Sequence, residues 1–180
     1  GAVASGSPAT VRLSLARRGT DSFQIVVLPS QDLTGVRVET ADWVSGRNRI
    51  AASNLEWFVV GHTPSDKTRV PDMLLPVRAF DAGKTNAWPV YVTLHAPEKT
   101  PAGEYTGTLR VLADGQPPTT IPLKATVHDF VLPVGPGHCR TAFALQEGFK
   151  KWADGEFLRH ADFMLRHRLN PDDIYRLSPP

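Results

Sequence analysis

Apolar and polar residues alternate with a period of two along most of the chain. The alternation is clear at residues 11–15, 36–38 and 90–94, residues 23–27 repeat it in part, and residues 57–60 form a continuous apolar segment. A period of two places successive side chains on opposite faces, so it predicts β-strands with one buried face. The 23–27 segment is apolar on both faces, which predicts a central strand.

Two further alternating segments, residues 105–111 and 121–127, flank the pair Asp114-Gly115. This pair tolerates the positive φ of a type I′ turn, so the region predicts a β-hairpin. Pro122 has no N–H to donate, which predicts an edge position or a bulge. About seven short strands at this spacing predict a mainly β domain, a two-sheet sandwich of immunoglobulin-like or jelly-roll-like type.

The pattern changes after residue 132. Residues 133–140 have the Pro- and Gly-rich composition of a linker. A short strand is predicted at 140–145 and another at 173–177, with a helix between them that Pro171 ends. The helical stripe comprises Phe157, Ala161, Met164 and Leu165. We therefore expect a sandwich over 1–132 and the start of an unfinished α/β domain over 141–180, because one β-α-β unit cannot bury its own sheet face.

Composition limits the classes of partner. The 20 Lys and Arg against 18 Asp and Glu leave a net charge of +2, and no basic run interleaves with aromatics, which argues against nucleic acid. Cys139 is the single cysteine, so neither an internal disulfide nor a cysteine-based zinc site is expected. No stretch approaches the roughly 20 apolar residues of a membrane span.

The candidate substrate-binding residues lie in the C-terminal part. Gln146 and Glu147 follow the first predicted α/β strand, where barrel enzymes build their sites; alternatively, Glu147 stabilises the N-terminus of the next helix. Tyr175 either stacks on a sugar or packs as a core or rim aromatic. Asp172 and Asp173, the one adjacent acidic pair, are interpreted as turn residues.

Other candidate chemistry is interpreted as structural. His160 and His167 are seven residues apart, whereas histidines that bind one metal on a helix need four-residue spacing. No serine lies in a Gly-x-Ser-x-Gly elbow. Trp57 is predicted to be core, while Trp43 and Trp88, near strand ends, are either packing residues or a platform for sugars.

Several segments together resemble a known family. They are residues 15–17 (LAR), 21–27 (DSFQIVV), 88–97 (WPVYVTLHAP), 101–108 (PAGEYTGT), 127–133 (VHDFVLP) and 167–171 (HRLNP). In this order they are similar to the β-sandwich that precedes the barrel in glycoside hydrolase family 123, and to the family's passage into that barrel. The resemblance extends over roughly residues 10–178.

The resemblance implies a function for a longer protein. It implies that 141–180 begins a (β/α) barrel, truncated here, and that the whole protein cleaves N-acetylhexosaminides by a substrate-assisted retaining mechanism. The family's Asp-Glu pair lies on a later barrel strand and no motif here matches it, so no catalytic residue is assigned and this chain alone is not expected to be an enzyme. No metal or cofactor is expected. The implied partners are carbohydrate, through the missing barrel, and the rest of the catalytic domain, in a secreted or periplasmic protein of bacterial type. The alternatives are an independent carbohydrate-binding or adhesion module and a purely structural sandwich.

Overall fold

The computed structural model describes residues 10–65, 68–133, 142–144, 154–167 and 169–172. The chain divides into two compact units, Gly1–Leu132 and Pro133–Pro180. The elements of the first unit are β1 (Val11–Arg17), β2 (Thr20–Val27), β3 (Leu33–Thr40), β4 (Trp43–Ser45), β5 (Asn48–Ile50), a 3-10 turn (Ala52–Asn54), β6 (Leu55–Ser65), β7 (Thr68–Leu75), β8 (Phe80–Ala82), β9 (Trp88–His95), β10 (Gly103–Leu112) and β11 (Thr119–Val131).

These strands form two sheets. One has seven strands in the order β1-β11-β10-β3-β8, with β4 pairing with β10 and β5; the other has four in the order β2-β9-β6-β7. The core lies between them and takes Leu13 and Leu15 from the first sheet and Val90 and Val92 from the second. Each side chain is separated from its neighbour in the core by one outward residue, as the alternation requires. The prediction of a mainly β, two-sheet fold is confirmed.

The first and last strands of this unit lie side by side. β1 pairs with β11 in parallel, from Val11 opposite Leu123 to Ala16 opposite His128. The register then shifts, and Arg17 lies opposite Val131. Such an irregularity bends the strand locally. Because β1 and β11 are more than 100 residues apart in sequence, no local periodicity predicted this pairing.

The prediction that residues 23–27 form a central strand is wrong. Among the described residues β2 pairs only with β9, so it is an edge of the four-stranded sheet. Its inward residues Phe23 and Ile25 pack against the core. Val26 points the other way and is 51% exposed. The apolar character of both faces therefore reflects an apolar outer surface rather than burial on both sides.

The predicted hairpin is present, with a longer connection. β10 and β11 pair in antiparallel fashion, but six residues, 113–118, join them. Only Gly115 has positive φ (68°), so the turn is not type I′. The backbone N–H of Asp114 instead donates to the carbonyl of Thr34 at 3.0 Å, so the connection is held against β3.

Pro122 is neither at a bulge nor on an edge strand. It lies opposite Thr108 in an unbroken register, on a strand that has neighbours on both sides. The described pairing with β1 begins one residue later, at Leu123. The missing N–H of Pro122 therefore falls just outside the parallel ladder and leaves no gap in it.

Two aromatic side chains fix the centre of the core. Trp43 is fully buried, and its ring lies on the backbone of Gly107, where a Cβ would be 2.7 Å from Cδ2 of the indole. Tyr105 is also fully buried, and its hydroxyl donates to the carbonyl of Pro101 at 2.8 Å. Burial raises the pKa of the Tyr105 hydroxyl, because the charged phenolate loses its hydration there. Gly103, with φ of 147°, turns the chain into β10.

The second unit contains β12 (Ala142–Ala144), α1 (Asp154–Arg166) and β13 (Asn170–Asp172). β12 and β13 pair in parallel, so the unit is a β-α-β element. Its second strand begins earlier than predicted: Pro171 lies within β13, opposite Phe143, rather than ending the helix.

The predicted helical stripe is only partly buried. Met164 is 6% exposed and Leu165 is 52% exposed, so two neighbouring members of the stripe differ in burial. Phe157 lies where the structure describes no side chain.

Candidate functional site

The residues nominated from the sequence lie outside the described part of the chain. This applies to Gln146, Glu147 and Tyr175, and also to Asp173. Asp172 is described through its backbone, which lies in β13 and pairs with Ala144 of β12. This residue is therefore in a strand, and the prediction of a turn there is wrong.

The tryptophans separate into two environments. Trp43 is a core residue, and its indole Nε1 has no hydrogen-bond partner although it is buried. Trp57 and Trp88 are both half-buried, and Trp57 packs against the core, as predicted. They flank Phe80, with ring centroids 6.5 Å and 5.8 Å from the phenyl ring. The indole N–H of Trp88 donates to the carbonyl of Gly83 at 3.1 Å, which orients that ring. We call Trp57, Phe80 and Trp88 the aromatic row.

A serine and a histidine distant in sequence meet on the outer face of the seven-stranded sheet. The Oγ of Ser14 and the Nε2 of His128 are 2.8 Å apart, and both residues are exposed. The carboxylate of Asp21 accepts the backbone N–H groups of Ser14 and Ser22, each at 2.8 Å. A nucleophilic serine needs a base that a third group orients. Here the nearby carboxylate bonds to the backbone, so the pair is explained as a surface hydrogen bond.

The end of β11 and the residue that follows it are bonded to Arg17, the last residue of β1. Arg17 donates from Nη2 to the Oδ1 of Asp129 at 2.8 Å, and its carbonyl accepts the N–H of Leu132 at 2.9 Å. Arg18 forms an ion pair with Glu98 at 2.6 Å.

The backbone of Arg18 also bonds to the residue that follows β9. The N–H of Arg18 donates to the carbonyl of Ala96 at 2.7 Å, and the N–H of Ala96 donates to the carbonyl of Gly19 at 2.9 Å. Arg18 has φ of 61°, the one non-glycine residue described with positive φ. These bonds hold the turn between β1 and β2 against the residue that follows β9.

Sequence reasoning missed both polar arrangements because their members are distant along the chain. Ser14 and His128 are 114 residues apart, and Arg17 and Asp129 are 112 apart. Each pair depends on the parallel pairing of β1 with β11. The only sequence indication was that Ser14 and His128 both occupy outward positions of alternating segments.

The described residues show neither a metal-binding cluster nor a membrane-spanning helix. They contain no cluster of three or more His, Cys, Asp and Glu side chains that could hold a metal ion. Among the described residues, no helix is long and apolar enough to cross a bilayer.

Comparison with known proteins gives a likeness at the level of the fold. No protein-family model and no curated protein matches the sequence. The structure resembles a family 123 glycoside hydrolase from Clostridium perfringens that hydrolyses glycolipid glycans, with a TM-score of 0.65 and 18% sequence identity. The fold is shared with part of that hydrolase. The match covers 69% of this chain and 24% of the hydrolase, so the chain corresponds to about a quarter of that protein's length.

Weaker likenesses carry no argument. A GH5 xyloglucanase from Bacteroides ovatus matches with a TM-score of 0.36 and 13% identity, covering 76% of this chain and 21% of that one. The periplasmic chaperone SfaE matches with a TM-score of 0.37 and 9% identity, covering 75% and 63%. These scores are too low to bear on fold or function.

Proposed function

We propose that this chain is a non-catalytic, N-terminal scaffold region of a larger glycoside hydrolase. The fold likeness to part of a family 123 hydrolase is the observation that supports it, at a TM-score of 0.65. The resemblance of the sequence segments to the same family supports it independently. Because a fold does not by itself imply a function, the chemistry must come from residues in a site.

The proposed parent protein cleaves N-acetylhexosaminides with the help of the substrate's own 2-acetamido group. In such a mechanism a glutamate acts as general acid and a neighbouring aspartate orients the acetamido group. We assign neither role to any residue of this chain. The scaffold's contribution is then to support the catalytic domain in a secreted or periplasmic protein of bacterial type.

Gln146, Glu147 and Tyr175 are proposed to line the substrate cleft of the parent protein. Their support is positional, since the ends of parallel strands are where barrel enzymes bind substrate. In the complete protein, Glu147→Gln should raise KM for an N-acetylhexosaminide while leaving thermal stability unchanged. An unchanged KM would contradict a role in substrate binding and favour the alternative, that Glu147 stabilises the N-terminus of a helix.

The first test compares the intact mass of the native protein with the reading frame of its gene. The proposal expects a longer frame, with further strand-helix repeats and an Asp-Glu pair after a later strand. It also expects the complete protein to hydrolyse N-acetylhexosaminides, and the 180-residue chain to be inactive on the same substrates. A frame that stops at Pro180 contradicts the hydrolase proposal.

The aromatic row supports a second candidate function, carbohydrate binding by the sandwich itself. Aromatic faces combine a large apolar area with a polar edge, which suits sugars. The three rings of this row are half-buried, and two of them, Trp57 and Phe80, also pack against the core. Titration of the 180-residue chain with oligosaccharides, followed by tryptophan fluorescence, tests it. Saturable binding that Trp88→Ala abolishes and Trp43→Phe preserves favours this function. A flat titration removes it and leaves a scaffold or structural role.

A further inference from the structure

The connection between β10 and β11 contains two residues that can react with each other. Asp114-Gly115 is one of two Asp-Gly pairs in the chain, the other being Asp154-Gly155 at the start of α1. In such a pair the backbone nitrogen of the glycine can attack the side-chain carboxyl carbon of the aspartate. Glycine favours this attack because it has no side chain to obstruct a close approach.

The turn around Gly115 leaves the attacking nitrogen accessible. The N–H of Gln116 donates to the carbonyl of Ala113 at 3.2 Å, and Gly115 has φ of 68°, as in a type II turn with this glycine at its third position. The N–H of Gly115 donates to no described residue, and no atom lies within 4 Å of the point where its Cβ would stand. Asp114 and Gly115 are both exposed, so water reaches the pair.

The carboxylate of Asp114 is held on the neighbouring strand β3. Nη1 of Arg37 donates to Oδ1 of Asp114 at 3.1 Å, and the same nitrogen donates to the carbonyl of Gly35 at 3.1 Å. The carboxylate lies against Gly35, where a Cβ would be 2.4 Å from Oδ2. The backbone N–H of Asp114 is bonded to the carbonyl of Thr34 at 3.0 Å. We call the contacts of the Asp114 carboxylate with Gly35 and Arg37 the latch.

We propose that Asp114-Gly115 is a site of succinimide and isoaspartate formation, and that the latch sets its rate. The nitrogen of Gly115 forms a bond to Cγ of Asp114, and the carboxyl OH leaves with the N–H proton as water. A second water then opens the ring at either carbonyl, which yields aspartate or isoaspartate without an oxidant, a reductant or a cofactor. Ring closure requires Cγ to turn onto the nitrogen of Gly115, so the latch must open first. This inference is independent of the proposed function.

Isoaspartate at residue 114 would change the connection between β10 and β11. The main chain would pass through the β-carbon of this residue and gain one carbon atom, which displaces the bond between Gln116 and Ala113. The side-chain carboxyl that Arg37 binds would become an amide of the main chain, so that ion pair would be lost. The modification should therefore loosen the attachment of this connection to β3.

Prolonged incubation of the 180-residue chain at neutral pH tests this proposal. Chromatography of the tryptic peptides measures isoaspartate at residue 114 separately from residue 154. Arg37 and Asp114 are 39% and 63% exposed, and an exposed ion pair shifts an equilibrium by about fivefold at most. Arg37→Gln should therefore speed the modification by about two- to fivefold. Arg110→Gln is the matched control and should leave the rate unchanged, because Arg110 pairs with Glu39 rather than with Asp114.

A second pair of variants opens the latch without removing a charge. Gly35→Ala displaces the carboxylate of Asp114 and should also speed the modification, whereas Gly46→Ala, with open space around its Cβ, should not. Thermal midpoints above the incubation temperature show that each variant is folded. In urea all the chains should react at one rate, because the latch exists only in the folded protein.

Three outcomes would overturn the proposal. Equal rates in the folded native chain, Arg37→Gln and Gly35→Ala would show that the latch does not control the reaction. Rate differences that persist in urea would assign them to local sequence instead of the fold. The absence of isoaspartate at residue 114 from every chain would remove the site itself.

Discussion

Adding one methyl group to the chain at Gly107 should destabilise the sandwich through Trp43. In Gly107→Ala the new Cβ would stand 2.7 Å from Cδ2, 3.0 Å from Cε2 and 3.1 Å from Cε3 of the indole. These distances are below ordinary van der Waals contact, so the ring must move by roughly half an ångström or more. Trp43 is fully buried in the core, and its displacement forces the surrounding side chains to repack.

The net cost follows from two opposing effects. Overpacking of a well-packed core costs about 1–3 kcal/mol. Replacing a strand glycine by alanine returns about 0.5–1 kcal/mol through the lower entropy of the unfolded chain. We therefore expect Gly107→Ala to lower the free energy of unfolding by about 1–2 kcal/mol. With a urea m-value of about 2 kcal/mol/M, the midpoint should fall by about 0.5–1 M without a change in slope.

Urea titrations followed by far-UV circular dichroism measure this cost, and a double-mutant cycle assigns it to the ring. Trp43→Leu removes the indole, so Gly107→Ala in that background should cost close to nothing or should stabilise the fold. The interaction energy of the cycle should then be at least about 1 kcal/mol in magnitude. If Gly107→Ala costs the same in both backgrounds, the indole is not the obstacle and the argument is refuted.

Three further outcomes are expected. Tyr105→Phe should lower the free energy of unfolding by about 0.5–1.5 kcal/mol, because it removes the 2.8 Å hydrogen bond from the tyrosine hydroxyl to the carbonyl of Pro101; an unchanged urea midpoint would contradict this. Gly35→Ala should cost about 0.5 kcal/mol more than Gly46→Ala, because the exposed carboxylate of Asp114 must swing away and lose its ion pair with Arg37. Both glycines have positive φ (61° and 57°), but a Cβ at Gly35 would stand 2.4 Å from Oδ2 of Asp114, whereas Gly46 has open space, so equal thermal midpoints would refute the steric argument. Burial raises the folded-state pKa of Tyr105 above its ordinary 10.0, so its contribution to stability is complete below pH 10 and is lost as the pH rises through the folded pKa. Urea midpoints from pH 9 to 11 should fall more steeply for the native chain than for Tyr105→Phe.

Local patterns located most strands but not their neighbours. The alternating segments around Val90 and Tyr105 became β9 and β10 with the predicted residues in the core. The same reasoning made β2 central, because it attributed every apolar residue to burial. Whether Val26 packs against a second sheet or a partner, or is exposed to solvent, depends on residues far away in the sequence, so local periodicity cannot predict it.

The candidate functional features also divide into those that local sequence predicts and those that depend on the tertiary structure. The aromatic row joins Trp57, Phe80 and Trp88 from three separate strands, so no spacing in the sequence predicted it. Conversely, the roles of the glycine and the tyrosine in the PAGEYTGT segment are local: one turns the chain and the other enters the core. Both are observed, at Gly103 and Tyr105, because the φ of a glycine and the alternation of a strand are local properties.

The sequence by itself determined that this chain forms a mainly β domain followed by a strand-helix-strand element, because hydrophobic periodicity acts over a few residues. Its segments also carried the resemblance to a hydrolase family. Only the tertiary structure decided that β1 lies parallel to β11, that Trp43 rather than Trp57 is fully buried, and that Val26 of β2 is exposed. These features depend on pairing and packing between residues far apart in sequence, where the cost of closing the intervening chain must be offset by contacts that form only in the complete fold.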